Sequence, residues 1–184
     1  GFGKRLRDGQ LTAPMMRLDK LLDERIRRRF PFQLTAAQQN AIWQIARDLQ
    51  SGRPMNRLLQ GDVGSGKTVV ALYAMLVGVA NKLQSALLAP TEVLAEQHYL
   101  NISNALRGSS VTVELFTGRT KKGAAKQGAA ALKKLADGAV HIAVGTQALI
   151  QKDVSFANLG LVVVDEQHKL GVRQRGVLKG KGLA

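Results

Sequence analysis

At 184 residues, with 45% hydrophobic content and no cysteine, the chain is long enough to bury a core and is not of disordered composition; a disulfide framework, a thiolate metal site and a cysteine nucleophile are excluded. No apolar run approaches the ~20 residues that span a bilayer, and no apolar core follows the basic N-terminus, so a cytoplasmic protein is the default expectation. Lysine and arginine number 27 against 13 acidic residues, a formal net charge of +14 at pH 7, which points to a polyanionic partner, most commonly nucleic acid.

Residues 1–30 carry nine Lys or Arg and four acids. Leu18, Leu21, Leu22 and Ile26 fall at helical spacing and predict a helix over 17–29. Arg25, Arg27, Arg28 and Arg29 crowd its end, where cations suit the helix dipole. Phe30-Pro31-Phe32 breaks it. Thr35 is the expected N-cap of a helix over 36–49, with Ala37, Ala41, Ile42, Ile45, Ala46 and Leu49 on one side and Trp43 read as packing. A first core strand is expected over 55–60, and the helix beyond Thr68 runs to about residue 82. A buried strand follows at 85–89, then Pro90 and a helix over 92–106 capped by Thr91. A strand at 111–116, a turn at Thr117-Gly118-Arg119 and an Ala- and Lys-rich helix over 121–136 come next, its start weakened by Gly123 and Gly128. A strand at 140–144 leads to Gly145-Thr146 and a short helix or turn. The most apolar strand, 159–164, ends on Asp165-Glu166-Gln167-His168. From Lys169 on, the tail has five basic residues and no acid.

Strands alternating with helices predict an α/β fold with a mostly parallel sheet covered on both faces. In such sheets ligands sit at the carboxyl ends of the strands. The residues that bear chemistry cluster there: 61–68, 90–91, 117–119, 145–146 and 165–168.

Two of these segments carry specific chemistry. Gly61-x-x-x-x-Gly66-Lys67-Thr68, between a strand and an apolar helix, is a phosphate cradle. Its glycines, including Gly64 beside Ser65, let backbone N–H groups turn toward an anion. The helix that follows points its positive end at the same place. Lys67 is expected on the β- and γ-phosphates and the Thr68 hydroxyl on Mg²⁺. Val162-Val163-Val164-Asp165-Glu166 places Asp165 to hold the Mg²⁺ shell, usually through water, and Glu166 to polarise the attacking water. His98 and His141 read as ordinary helix and strand residues, since two histidines without a third ligand make no metal site.

Together these motifs resemble the first RecA-like motor domain of superfamily-two helicases, a P-loop NTPase domain. Residues 60–68 are similar to motif I, Ala89-Pro90-Thr91-Glu92-Val93-Leu94-Ala95-Glu96-Gln97-His98 to motif Ia, Val144-Gly145-Thr146 to motif Ic, and Asp165-Glu166-Gln167-His168 to a DExH motif II. Leu34-Thr35-x-x-Gln38 resembles the glutamine motif upstream. The wording is most similar to the RecG-type helicases, ATP-dependent enzymes acting on branched DNA, through the phosphate-loop and Asp-Glu-Gln-His phrases and Gly171-Val172-x-Gln174-Arg175. The resemblance covers about 30–180.

It implies ATP and Mg²⁺ as cofactors, with Lys67, Asp165 and Glu166 catalytic, Gly61, Gly64, Ser65, Gly66, Lys67 and Thr68 around the phosphates, and Thr68 and Asp165 on the metal. Gln38 would read the adenine edge, since an amide both donates and accepts. Gln167 and His168 would couple the nucleotide to a facing domain. Thr91, Arg119 and Thr146 would contact DNA phosphates without reading sequence. It implies a basic helical connector over 1–30 and a motor domain over 31–184, stopping before motif III. The second RecA-like domain, with its transition-state arginine, and a branch-recognition domain would lie elsewhere in the protein. The missing initiator methionine and the end at Leu183-Ala184 fit a piece of something longer, inactive in unwinding alone. Lys169-Leu170 replaces the family's Arg-Phe, a departure that bears on coupling to DNA and not on ATP binding. Transcription-repair coupling translocases share much of motifs I and Ia but more often carry Glu at the Gln167 position. A nucleotide-dependent DNA-binding switch and a small-molecule kinase are the other readings.

Overall fold

The computed structural model describes residues 15–30, 33–52, 55–59, 66–117, 125–151, 153–166 and 169–174. Its elements in chain order are α1 (Lys20–Arg27), α2 (Ala36–Gln50), β1 (Asn56–Leu59), α3 (Gly66–Ala80), β2 (Gln84–Leu88), α4 (Glu92–Ala105), β3 (Val113–Phe116), α5 (Ala125–Asp137) and β4 (Ile142–Gly145). A 3-10 turn (Gln147–Ile150), β5 (Leu159–Glu166) and β6 (Lys169–Gln174) follow.

The strands form one sheet in the order β1-β6-β5-β2-β4-β3. β2, β3, β4 and β5 are linked by parallel pairings. β6 is antiparallel to both β5 and β1, so β1 still points the same way as β5. The expected α/β fold is present, with one reversed strand inside the sheet. That strand departs from the expected basic tail. Leu170, Val172 and Gln174 alternate inward, a period-2 signal too short, and too broken by charge and glycine, to stand out.

Side chains alternate between the two faces of the sheet. Leu87, Ile142, Val144, Leu161 and Val163 join α2, α3 and α4 in one core. Ala86, Leu88, Ala143, Val162 and Val164 join Leu135 of α5 and Leu149 in the other. A fully buried side chain such as Leu161 contributes about 1.5–3 kcal/mol over leaving it exposed. α3 is the central helix: every residue from Val69 to Gly78 is buried, as expected for a helix apolar all round.

Local capping follows the sequence closely. Thr35 and Gln38 form a reciprocal capping box at α2, and the Thr91 hydroxyl accepts from Leu94 N at 3.2 Å. Asp19 caps α1, which begins later than the spacing predicted. Trp43 is not core packing. It is 57% exposed, with the Arg47 guanidinium 4.9 Å from its ring centre. Its place on α2 falls between the buried Ile42 and Ile45, turned outward by the helical period.

The N-terminal segment is bound into the same core through Met16, Ile26 and Phe30. Polar contacts add to this: Arg17 N donates to Asn81 Oδ1 at 2.7 Å, and the Tyr73 hydroxyl of α3 donates to Asp23 Oδ1 of α1 at 2.5 Å. Arg27 Nε donates to both Asp23 oxygens, at 3.0 and 2.9 Å. Burial, then the hydrogen bond to Asp23 and its charge, push the Tyr73 hydroxyl pKa upward. The folded chain therefore holds this proton longer than the unfolded one. The resulting stability is complete below about pH 10 and is lost as pH rises past it. Tyr73→Phe is expected to cost about 2 kcal/mol at neutral pH. In urea titrations the gap from wild type should narrow above pH 10, and a gap independent of pH would refute the role of this proton.

Among the described residues no helix is long and apolar enough to cross a membrane.

Candidate nucleotide and nucleic-acid site

The register places the chemistry on one rim. Leu58 stands level with Gly171 and Gly171 with Val164; Val164 is level with Leu88, Leu88 with Gly145, and Gly145 with Phe116. One step further on, Leu59 and Asp165 share Leu170 as their common neighbour. Asp165 thus sits at the level where β1 gives way to the phosphate-loop segment, two strand spacings or about 10 Å across the sheet. The strand order divides the rim. β1 and β5 end on one half, and β2, β4 and β3 end on the other, with Thr91 following β2 and Thr146 following β4.

Gly66 opens α3 and points its positive end to the first half, with Lys67 and Thr68 half-buried in its first turn. Gln38 reaches this helix start. Its Oε1 accepts from Thr35 N at 2.8 Å and its Nε2 donates to Gly66 O at 3.4 Å. A Cβ on Gly66 would lie 2.9 Å from that Nε2, so glycine is what lets the amide rest against the loop's exit. Gly61, Gly64, Ser65, Arg119, Gln167 and His168 lie outside the described residues.

Asp165 is only 16% exposed, and its Oδ2 lies 2.8 Å from His98 Nε2, itself 13% exposed. An ionised carboxylate only accepts, so Nε2 carries the proton and donates. His98 is therefore not the ordinary helix residue the sequence suggested. A usable signal was present: Ala95 and Ile102, buried on α4, share the helix face of His98 at i, i+3, i+7 spacing. His141 is not a strand residue as expected: it sits in the bend just before β4, its Nδ1 accepting from Thr112 N at 2.9 Å. Glu166 is exposed and, by strand alternation, lies on the opposite face of β5 from Asp165. The structure thus joins Asp165 to the α3 and α4 side and leaves Glu166 across the strand end.

On the second half, Thr91 is exposed and spends its oxygen on the helix cap, which leaves its own hydrogen free to donate. Thr146 precedes the 3-10 turn and makes no capping bond. Gly145 holds this end of β4 close to β3: a Cβ there would lie 2.7 Å from Phe116 O, a backbone atom unable to yield. Among the described residues no cluster of three or more His, Cys, Asp or Glu could hold a metal. That excludes a protein-only cage there. It leaves room for a magnesium ion bound through one carboxylate, a hydroxyl and phosphate oxygens.

A largely parallel-stranded core with a phosphate-loop motif at a helix start and a carboxylate at a strand end two strands away defines a nucleotide-binding α/β domain. The chain belongs to the DEAD/DEAH box helicase family, whose model matches residues 35–180. It is 47% identical over 173 residues to the ATP-dependent DNA helicase RecG of Aquifex aeolicus, covering 93% of this chain and 22% of that protein. Against RecG of Synechocystis sp. it is 51% identical over 154 residues, covering 84% and 18%. A solved structure of RecG bound to a three-way DNA junction superimposes with a TM-score of 0.78 at 39% identity, over 90% of this chain and 22% of that one. The chain thus spans about a fifth of the length of these relatives.

Proposed function

We propose that this chain is the ATP-binding half of a RecG-type DNA motor, coupling ATP hydrolysis to remodelling of branched or forked DNA in repair and recombination. The divided rim carries this reading: β1 and β5 end on a nucleotide half, and the phosphate-binding candidates Thr91 and Thr146 follow β2 and β4 on the other. The similarity to RecG and to its junction-bound structure supports it.

In the nucleotide half, the 61–66 backbone and Lys67 would cradle the phosphates and Gln38 would lie at the adenine. Thr68 and Asp165 would hold Mg²⁺, which supplies charge neutralisation on the transferring phosphoryl group. Glu166 would polarise the attacking water, which asks the end of β5 to turn toward the phosphate. Gln167 and His168 would relay the nucleotide state. Thr91, Arg119 and Thr146 would hold DNA by its phosphates, a contact indifferent to sequence and weakened by salt. Residues 1–30 are the connector and 31–184 the first motor domain. A second RecA-like domain would add the transition-state arginine, and a further domain would recognise the branch. The setting is cytoplasmic.

The test compares the full-length protein with these 184 residues produced alone. The full-length protein should unwind a synthetic fork with ATP and hydrolyse ATP faster with DNA. The shorter chain should bind nucleotide weakly, turn over very slowly and unwind nothing. Robust DNA-stimulated turnover by the 184 residues alone would refute the half-site reading. Nucleotide-dependent fork binding without unwinding by the full-length protein would instead indicate a switch.

A further inference from the structure

The His98–Asp165 pair joins residues 67 positions apart, and none of the roles above uses it. His98 sits on the inward face of α4 between Ala95 and Ile102, both fully buried. Its Nδ1 is buried and has no hydrogen-bond partner among the described residues. An imidazole kept only to fill that space leaves a polar atom unsatisfied where an apolar side chain would not. The bond from Nε2 to the carboxylate is what the imidazole contributes there. That carboxylate lies at the strand end beside the phosphate-loop helix.

We infer that His98 is a positioning residue for the Mg²⁺-bound nucleotide: its Nε2–H fixes the rotamer of Asp165 by holding Oδ2, so that Oδ1 is presented to the metal's water shell. This deepens the nucleotide reading above and rests on it. A carboxylate at the end of a strand has several χ1 and χ2 choices, and a single aimed donor removes most of them. The donor is itself well anchored. Thr91 caps α4 at one end, and Ala95 and Ile102 pin the helix to the sheet on either side of His98. Partners one step removed from a metal commonly change its affinity 10- to 100-fold when lost.

The experiment measures binding of a fluorescent ADP analogue to the full-length protein across a Mg²⁺ titration, for wild type, His98→Ala and His98→Gln, with a thermal melt of each. Glutamine retains an N–H donor of similar reach. His98→Ala should raise the Mg²⁺ concentration needed for half-maximal tightening by about 10-fold or more and leave affinity in EDTA unchanged. His98→Gln should recover most of the difference. A Mg²⁺ dependence unchanged in His98→Ala would overturn the inference. So would an equal loss with and without Mg²⁺ that glutamine does not rescue, since that is the behaviour of a packing residue. A wild type that binds no nucleotide under any condition would overturn the nucleotide reading, and this inference with it.

Discussion

Replacing Lys67 by alanine is expected to remove nucleotide binding from the full-length protein while leaving most DNA binding in place. Lys67 lies in the first turn of α3, where backbone N–H groups and the helix dipole already favour an anion. The lysine adds the one full charge expected on the β- and γ-phosphates. Truncating one member of a desolvated charge pair typically costs 2–5 kcal/mol, so nucleotide affinity should fall about 30-fold to several thousand-fold. The DNA candidates Thr91 and Thr146 follow β2 and β4, on the other side of β5 from β1. Fork affinity without nucleotide should therefore change by no more than about threefold, because salt screens charges separated by more than a Debye length of about 8–10 Å. Fluorescence anisotropy with labelled nucleotide and labelled fork measures both. If fork binding vanished with the fold intact, the division of the rim into two sites would be wrong.

Glu166→Gln is expected to separate binding from chemistry. The amide keeps the size of the side chain but accepts no proton at the reacting water. A positioned general base contributes about 10²- to 10⁴-fold to rate, so hydrolysis should drop by that order while nucleotide and fork affinities stay near wild type. Because Glu166 lies across β5 from Asp165 in this structure, the result also reports on the strand end. A loss of this size means that the end of β5 turns toward the phosphate during turnover. Near-normal hydrolysis would show that Glu166 stays on its exposed face and that another group orients the water.

Much of the candidate site could be named from the sequence because its signals are local. A phosphate loop needs its glycines, lysine and threonine at fixed offsets between a strand and a helix, and the threonine caps need only the next turn of their own helices. Thr35, Thr91 and the apolar span of α3 could be read without knowing what they pack against. Trp43 could not, because its outward turn depends on the side of α2 that meets α3. β6 was hidden for a related reason: Lys169, Gly171 and Arg173 mask a strand that forms by pairing with β5 on one side and β1 on the other.

The sequence by itself determined the α/β class and the capping of α2 and α4, and it named the candidate phosphate residues, because each rests on chemistry within a few residues. The tertiary structure alone decided the order of the strands. Among the described residues, that order puts the nucleotide candidates at the ends of β1 and β5 on one half of the rim and the DNA candidates Thr91 and Thr146 on the other. It alone brought the imidazole of His98 to Asp165: the spacing with Ala95 and Ile102 marks an inward face of α4, but the partner 67 residues away is chosen only when that helix stacks on the sheet.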